Sequence, residues 1–269
     1  MKKYKIFFIL FLVSSIVYAQ QYGGLVVADT PGAYGSHWHT SITITNFTDL
    51  DFKVDCTLYL SNGNSYKIEL NLEAKKTISE LLIDILEENG IKLDSFFGWL
   101  EIDFSNIPEN IMGLSLMYTP DPNGGEGAIF AEITPLFFDV PSQGILYGLT
   151  PCGKEAAEPM ALGGAIWRSN LGFVNISEKE GGVYLQCYDA DSKFLASFGV
   201  SLLPKQIKQF NDVKRPDVLN IPCEMIKEPV YCIFQSQDPS ALIYVYGANN
   251  NNLNNFPIYI SPKKEIKWK

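Results

Sequence analysis

Residues 38–48 read Trp38-His39-Thr40-Ser41-Ile42-Thr43-Ile44-Thr45-Asn46-Phe47-Thr48, and residues 167–177 read Trp167-Arg168-Ser169-Asn170-Leu171-Gly172-Phe173-Val174-Asn175-Ile176-Ser177. Both fit the pattern W-[HR]-[ST]-x-[IL]-x-[IF]-x-N-[FI]-[ST]. Self-similarity over such a stretch points to two copies of one structural unit. The period-2 alternation makes each copy a strand. Trp38, Thr40, Ile42, Ile44 and Asn46 share one face, and His37, His39, Ser41, Thr43 and Thr45 share the other. The apolar set marks the core side. Asn46 stands at the strand end, where an amide can bond the backbone of the following turn.

Working outward in the first copy, Leu25-Val26-Val27-Ala28 opens the unit and a turn-rich stretch, Asp29 to Gly35, leads into the signature strand. Val54, Cys56, Leu58 and Leu60 alternate inward on the next strand. Asn62-Gly63 makes a hairpin turn, because both residues tolerate positive φ. Tyr66, Ile68, Leu70 and Leu72 follow with the same period. Thr77-Ile78-Ser79-Glu80 fits a capping box and predicts the start of a helix through Leu81, Leu82, Ile85 and Leu86, closed by Asn89-Gly90. Strands are expected at Trp99 to Phe104, Ile111 to Tyr118 and Ile129 to Ile133. The second copy repeats the plan: Val200-Ser201-Leu202 matches Leu70-Asn71-Leu72, Pro204-Lys205 matches Ala74-Lys75, Tyr231 to Phe234 matches the strand at Trp99, and Ala241 to Tyr246 matches Ile111 to Tyr118. The expected fold class is therefore all-β with minor α: two tandem, internally repeated β-sandwich domains, with a short helix in the first copy.

The ends and the composition narrow the class further. Lys2, Lys3 and Lys5, an apolar run from Ile6 to Val17, and Val17-Tyr18-Ala19 read as a secretion signal with its cleavage site. The run is too short for a spanning helix, and no cysteine follows the cut to anchor a lipid. The expected division is a signal peptide at 1–19, one sandwich at 20–143 and a second at 144–269, in a protein that is periplasmic, cell-surface or extracellular. The 269-residue chain carries a net charge of -9; removing the three signal lysines leaves -9 - 3 = -12. Nucleic-acid phosphates demand a basic surface, so that class of partner is excluded. No membrane span is expected after the signal.

The motifs have a likeness. The order G-x-x-G-S-x-W-[HR]-T-x-[IL]-x-[IL]-x-N from Gly32 to Asn46, the Thr77 to Leu86 segment and Phe97-Gly98-Trp99-Leu100-Glu101-Ile102 resemble the duplicated β-sandwich repeats of proteins secreted by many environmental bacteria. Residues 167–175 resemble that group's R-T-N-L-G-x-x-N variant. More remotely, each copy is similar to the small β-sandwich of sensory rhodopsin transducer proteins. The resemblance implies fold and export, and it brings no catalytic residues and no cofactor.

Candidate chemistry is sparse. His37-x-His39 places two imidazoles on one strand face, where both can meet one zinc; a carboxylate such as Asp29 or Asp49 would complete the set. His39 aligns with Arg168, which cannot ligate a metal, so the repeat counts against a metal site and the position reads as one for a polar, exposed side chain. Asp189-x-Asp191 and Asp121 to Glu126 offer oxygen ligands for calcium, in stretches that also suit hairpin turns. No G-x-S-x-G and no phosphate-binding glycine loop is present. The run Asn249 to Asn255, including Asn250 and Asn251, reads as a long polar loop able to bind a ligand. Tyr59, Tyr184 and Tyr188 fall on the outward phase of their strands, where they can stack on a sugar, anchor a protein or be covered by the other copy. Asn46-Phe47-Thr48 and Asn175-Ile176-Ser177 fit the glycosylation acceptor, but their matched positions point to a turn requirement. Cys56 and Cys187 read as matched, buried core thiols, Cys232 as buried, and Cys223 as able to bridge Cys232.

The expected function is an exported, non-catalytic structural, adhesive or binding protein whose partner is a protein or glycan surface. The alternative is a secreted metal- or carboxylate-dependent hydrolase at a loop cluster. A deep cleft holding His37, His39 and a carboxylate within ligand reach would favour that alternative.

Overall fold

The computed structural model describes residues 22–32, 37–103, 105, 111–118, 129–130, 140–152, 167–211, 213, 218, 222–251, 257–260 and 262–263, with the side chains of 22–23, 111–118, 129–130, 167, 251 and 257–259 left aside. The protein is mostly β. In chain order the strands are β1 (Tyr22–Pro31), β2 (His37–Asn46), β3 (Phe52–Leu60), β4 (Ser65–Leu72), β5 (Thr77–Leu81), β6 (Phe96–Asp103), β7 (Ile111–Tyr118), β8 (Ile129–Phe130), β9 (Gln143–Leu149), β10 (Trp167–Asn175), β11 (Gly181–Tyr188), β12 (Phe194–Leu202), β13 (Ile207–Phe210), β14 (Val230–Ser236), β15 (Ile243–Asn251) and β16 (Pro257–Ile260). One short helix, α1 (Leu82–Glu88), precedes β6.

Every pairing among the described strands is antiparallel; β4 buries one face and alternates polar residues on the other, whereas β10 is buried on both. The order β4-β3-β6-β1 recurs as β12-β11-β14-β9, and the group in which β2 pairs β5 and β7, with β8 beyond, recurs as β13-β10-β15-β16. Each order is the other displaced by eight strands. A short β1–β2 ladder at Thr30↔Trp38 and Pro31↔His37 joins the two sheets of the first group at a corner. The buried residues divide in the same way. One core runs from Leu25 to Ile102 and takes in Ile42, Leu58 and Leu86. The other runs from Leu146 to Val245 and takes in Leu171, Phe173 and Phe234.

The signature strands are built alike. Thr40, Ile42, Ile44 and Asn46 are buried on β2, in the phase expected from the sequence. The Asn46 amide is fully enclosed. Its Nδ2 donates to the carbonyls of Leu50 (2.8 Å) and Leu72 (3.1 Å), and its Oδ1 accepts from the Thr48 N–H (2.9 Å) and Oγ1 (2.7 Å). Asn175 repeats this, donating to Lys179 O (2.7 Å) and Leu203 O (3.0 Å) and accepting from Ser177 N (3.1 Å) and Oγ (2.6 Å). These amides close turns, as their position at the strand ends suggested. Lys75 and Lys205 also correspond: each sits at φ 58°, and their Nζ atoms donate to Phe47 O and Ile176 O.

Three expectations change. The Thr77 to Leu81 segment is strand, not a capped helix start; it pairs with β2 through Ile44↔Ile78 and Thr45↔Thr77, and the helix begins at Leu82 with no side-chain cap. β-branched residues beside an unpaired strand edge favour the ladder over a capping box. The close at Asn89-Gly90 stands: Asn89 N donates to Ile85 O, and Gly90 takes φ 76°.

The cysteine reading changes next. Cys187 is bonded to Cys232 and Cys152 to Cys223, so Cys187 is no free thiol and Cys223 does not bridge Cys232. The reason is register: Cys187 lies directly opposite Cys232, whereas Cys56 lies opposite Ile102 and Leu58 opposite Leu100. If Cys232 matches Leu100, Cys187 therefore takes the place of Leu58, not Cys56. Cys56 is the free, buried thiol, and burial pushes its pKa up.

The asparagine run is not a loop at its start. Asn249 to Asn251 lie within β15, and Asn249 and Asn250 are buried. Residues 252–256, the Asp121 to Glu126 segment, the strand end beyond Phe130 and the signal segment lie outside the described residues. Asp189 holds a turn, as its stretch suggested: its Oδ1 accepts from Asp191 N (3.0 Å) and Lys193 N (2.9 Å), while Asp191 pairs with Lys227.

Candidate functional site

Two constellations stand out, one at the β1–β2 corner and one on an outer sheet face. At the corner, β1 ends with Asp29 and β2 begins with His37 and His39. The short ladder between these strands brings them together. Asp29 Oδ1 lies 2.8 Å from His37 Nε2, and Asp29 Oδ2 lies 2.9 Å from His39 Nδ1. The imidazoles stack with centroids 4.6 Å apart and 17° between planes. The Asp29 side chain is 10 % exposed, His39 25 % and His37 41 %. Beneath them Thr40 fixes the corner, since its Oγ1 accepts from Ala28 N (2.8 Å) and donates to Ala28 O (2.9 Å). Of the two carboxylates proposed from the sequence, the structure supplies Asp29. Asp49 is exposed and pairs with Lys75 instead.

The matching corner of the second group is different chemically. Ser169 stands where Thr40 stands, and its Oγ bonds Thr150 N and Asn249 Oδ1 at 2.9 and 2.6 Å. Asn249 Nδ2 donates to Gly148 O at 2.7 Å. Arg168 is buried opposite Asn250 in the ladder. Asn250 is enclosed, and its Nδ2 has no hydrogen-bond partner among the described residues. The asparagines therefore pack the corner rather than form an open loop surface, and the side chain of Asn251 lies outside the described set.

The tyrosines divide between two environments. Tyr59 stacks on Trp99, with centroids 4.9 Å apart and 18° between planes. This pair sits where the outer face of β1-β6-β3 meets the outer face of β13-β10-β15. Trp99, Val174, Ile207, Tyr244 and Tyr246 form one buried cluster there, with Val26, Tyr59 and Phe97 packed on it. Trp99 Nε1 donates to Lys205 O at 2.8 Å, and Lys205 Nζ donates to Glu101 Oε2 at 2.7 Å and pairs with Glu178 at 3.0 Å. Gly172 makes the approach feasible: Tyr246 lies across it, so that a Cβ there would fall 1.9 Å from the ring. Tyr246 OH then donates to Gln209 Oε1 at 2.8 Å. Burial of Lys205 opposes its charge, but its hydrogen bonds to Glu101 and Glu178 outweigh that and hold its pKa above 10.5.

Tyr188 and Tyr184 belong to the corresponding sheet of the second group, β12-β11-β14-β9. Register places Tyr147 opposite Tyr231, Tyr231 opposite Tyr188, and Tyr188 opposite Phe194, so one aromatic row crosses all four strands. Tyr188 stacks on Tyr231 (5.3 Å, 17°) and meets Phe194 edge-on at 5.8 Å. The next rows are Ile145, Ile233, Gln186 and Ser197, then Gln143, Gln235, Tyr184 and Gly199. None of these positions is charged. Tyr147 is 62 % exposed, Phe194 52 % and Tyr184 40 %. The Tyr188–Tyr231 pair occupies the place of Tyr59–Trp99, yet it faces outward. Register alone reveals this row; the sequence named only Tyr188 from it, and Tyr184 from the same face.

No protein-family model and no curated protein matches the chain. Among solved structures, the crystal structure of Thermotoga maritima 1070 is similar over 46 % of this chain and 93 % of its own, at a TM-score of 0.32 and 15 % identity. The PBSX exported protein XepA is similar over 86 % of this chain and 81 % of its own, at a TM-score of 0.22 and 11 % identity. Among the described residues no helix is long and apolar enough to cross a membrane.

Proposed function

We propose that the chain is an exported, non-catalytic structural protein, two tandem copies of one β-sandwich, and that it assembles with further copies of itself by repeating its internal contact between sandwiches. The reading rests on one observation: the stacked aromatic pair that docks the first sandwich onto the second recurs, at the same strands, on an exposed face of the second. Its row of aromatics lacks charge, which is the composition of the core of a protein interface. The stacked rings use their faces on each other, which suits a protein surface better than a sugar ring stacked face-on. The internal contact sets a β1-β6-β3 face against a β13-β10-β15 face, so its repetition sets β9-β14-β11 against the β5-β2 face of another copy. On that face Thr43 bonds Ser79 and Thr45 bonds Thr77, all uncharged, with Thr77 and Ser79 exposed and Thr43 and Thr45 half-buried. Uncharged rows are where copies of an acidic protein meet with least repulsion; at the edge of this face Lys75 pairs with Asp49, as Lys205 pairs with Glu178 in the internal contact. A head-to-tail contact of this kind generates open chains or rings. Two disulfides are compatible with export.

Sedimentation velocity of the purified protein tests this. The expected result is concentration-dependent association that disappears on Tyr188→Lys and, equally, on Thr43→Lys. A monomer at all concentrations overturns the proposal, as does a closed dimer indifferent to Thr43→Lys. Retention on a glycan array that is lost with Tyr188→Lys, without self-association, assigns the face to a glycan instead.

The cluster of Asp29, His37 and His39 favours a second reading, a metal-dependent hydrolase at the β1–β2 corner. Turnover of ester or peptide substrates that falls with His39→Arg would support it, and equal turnover in wild type and variant would end it.

A further inference from the structure

We propose that Asp29, His37 and His39 form a binding site for one divalent transition ion of the zinc class. This inference is independent of the assembly reading, since it concerns a single chain.

The chain has only two histidines, and both converge on one carboxylate carried by a different strand. Their ligand atoms and a carboxylate oxygen all lie within 4.8 Å of one another. One ion placed between them reaches all three after small side-chain rotations, because zinc binds nitrogen and oxygen at about 2.0–2.2 Å. The near-parallel stack of the rings keeps both nitrogen edges directed at Asp29. Asp29 has lost most of its solvent, so its charge requires compensation at that spot. In the structure the imidazoles provide it; a cation between the same atoms does so more fully.

The fold does not require these residues. The second group keeps the scaffold of the corner: Ser169, like Thr40, accepts from a backbone N–H across the corner, though it donates to Asn249 Oδ1 rather than to a backbone carbonyl, and Asn175, like Asn46, donates to backbone carbonyls of its turn. It discards the three ligands. Arg168 stands at His39, Ile166 at His37, and the chain after β9 runs Thr150-Pro151 where β1 runs into Asp29. A constellation that is complete in one copy and wholly replaced in the other belongs to a property of that copy alone.

The donor set selects the ion. Two imidazoles and one carboxylate suit zinc, nickel, copper or cobalt, whereas calcium and magnesium require mainly oxygen. His37 is 41 % exposed, so the outer side of the site is open and water completes the coordination.

The test is calorimetric titration of chelator-stripped protein with zinc chloride. The expected result is one site per chain with Kd below about 10 μM. His39→Arg is the decisive variant, because Arg168 already occupies that place in the second group and the fold accepts it. It should weaken zinc binding by about 100-fold or more, as should His37→Gln. Asp49→Asn should change nothing. With cobalt in place of zinc, a visible absorption band should appear and vanish in both histidine variants. No zinc binding at about 100 μM, or undiminished binding in His39→Arg, overturns the proposal.

Discussion

Replacing Asn46 by alanine should destabilise the protein by about 3 kcal/mol, and replacing Asn175 should cost nearly the same. The magnitude follows from the contacts. Each amide makes two donations to carbonyls and accepts two hydrogen bonds from a Thr or Ser. A buried hydrogen bond is worth about 1 kcal/mol net, and leaving a buried carbonyl unpaired costs about 1–3 kcal/mol. Around Asn46 the bonds to Thr48 lie near the surface, where water can replace part of them, whereas the Leu72 carbonyl is deep. Two bonds lost outright and one stranded carbonyl give about 3 kcal/mol. Urea unfolding measures it as a fall in the midpoint at constant slope. Asn46→Asp adds a sign. Its carboxylate would face the carbonyls of Leu50 and Leu72, which raises its folded pKa. The variant should therefore be most stable at low pH, where the protonated acid can donate, and lose stability as pH rises through that folded value. A cost below about 1 kcal/mol for either alanine variant, or a difference between them above about 1.5 kcal/mol, would refute the claim that both amides carry the same turn.

Other perturbations follow from the same geometry. Replacing Cys187 and Cys232 by alanine opens a loop spanning 45 residues and should cost about 4 kcal/mol by chain entropy, read as a fall in unfolding free energy; Cys56 should stay unreactive to thiol reagents until the chain unfolds. Trp99→Ala should cost about 3–5 kcal/mol, because it empties the centre of the contact between the two cores. Trp99→Phe should cost about 1 kcal/mol, from the lost bond to Lys205 O. Lys205 has a folded pKa above 10.5, so its contribution is full below 10.5 and is lost as pH rises through the folded value. The stability gap between wild type and Lys205→Gln should therefore close only in strongly alkaline urea titrations.

Much of the fold was legible where local chemistry and tertiary structure agree. The alternation of β2 and the amide at its end say the same thing as the core they build. The helix start was not legible, because Thr77-Ile78-Ser79-Glu80 satisfies a capping box and an edge strand equally, and only the presence of β2 decides between them. Cys187 was misplaced because matching the copies by residue type set it beside Cys56, whereas pairing with β14 shifts it two positions to face Cys232. The asparagine run reads as loop by composition; its first amide, Asn249, is instead consumed by Ser169, Thr150 and Gly148 at the corner, and Asn250 is buried beside it on β15. The histidine pair was visible from its spacing, and Asp29 was one of two carboxylates within sequence reach. The aromatic row was invisible, since its members are scattered from Tyr147 to Tyr231 and only strand register aligns them.

In the proposed assembly the outer face of β9-β14-β11 seats the β5-β2 face of another copy, repeating the internal contact. The most direct measurement mixes two variants that cannot assemble alone, Tyr188→Lys and Thr43→Lys, and follows them by sedimentation. Each keeps the face that the other has lost, so the mixture should form a one-to-one dimer and nothing larger. A mixture that stays monomeric, while the wild type associates, would contradict the claim.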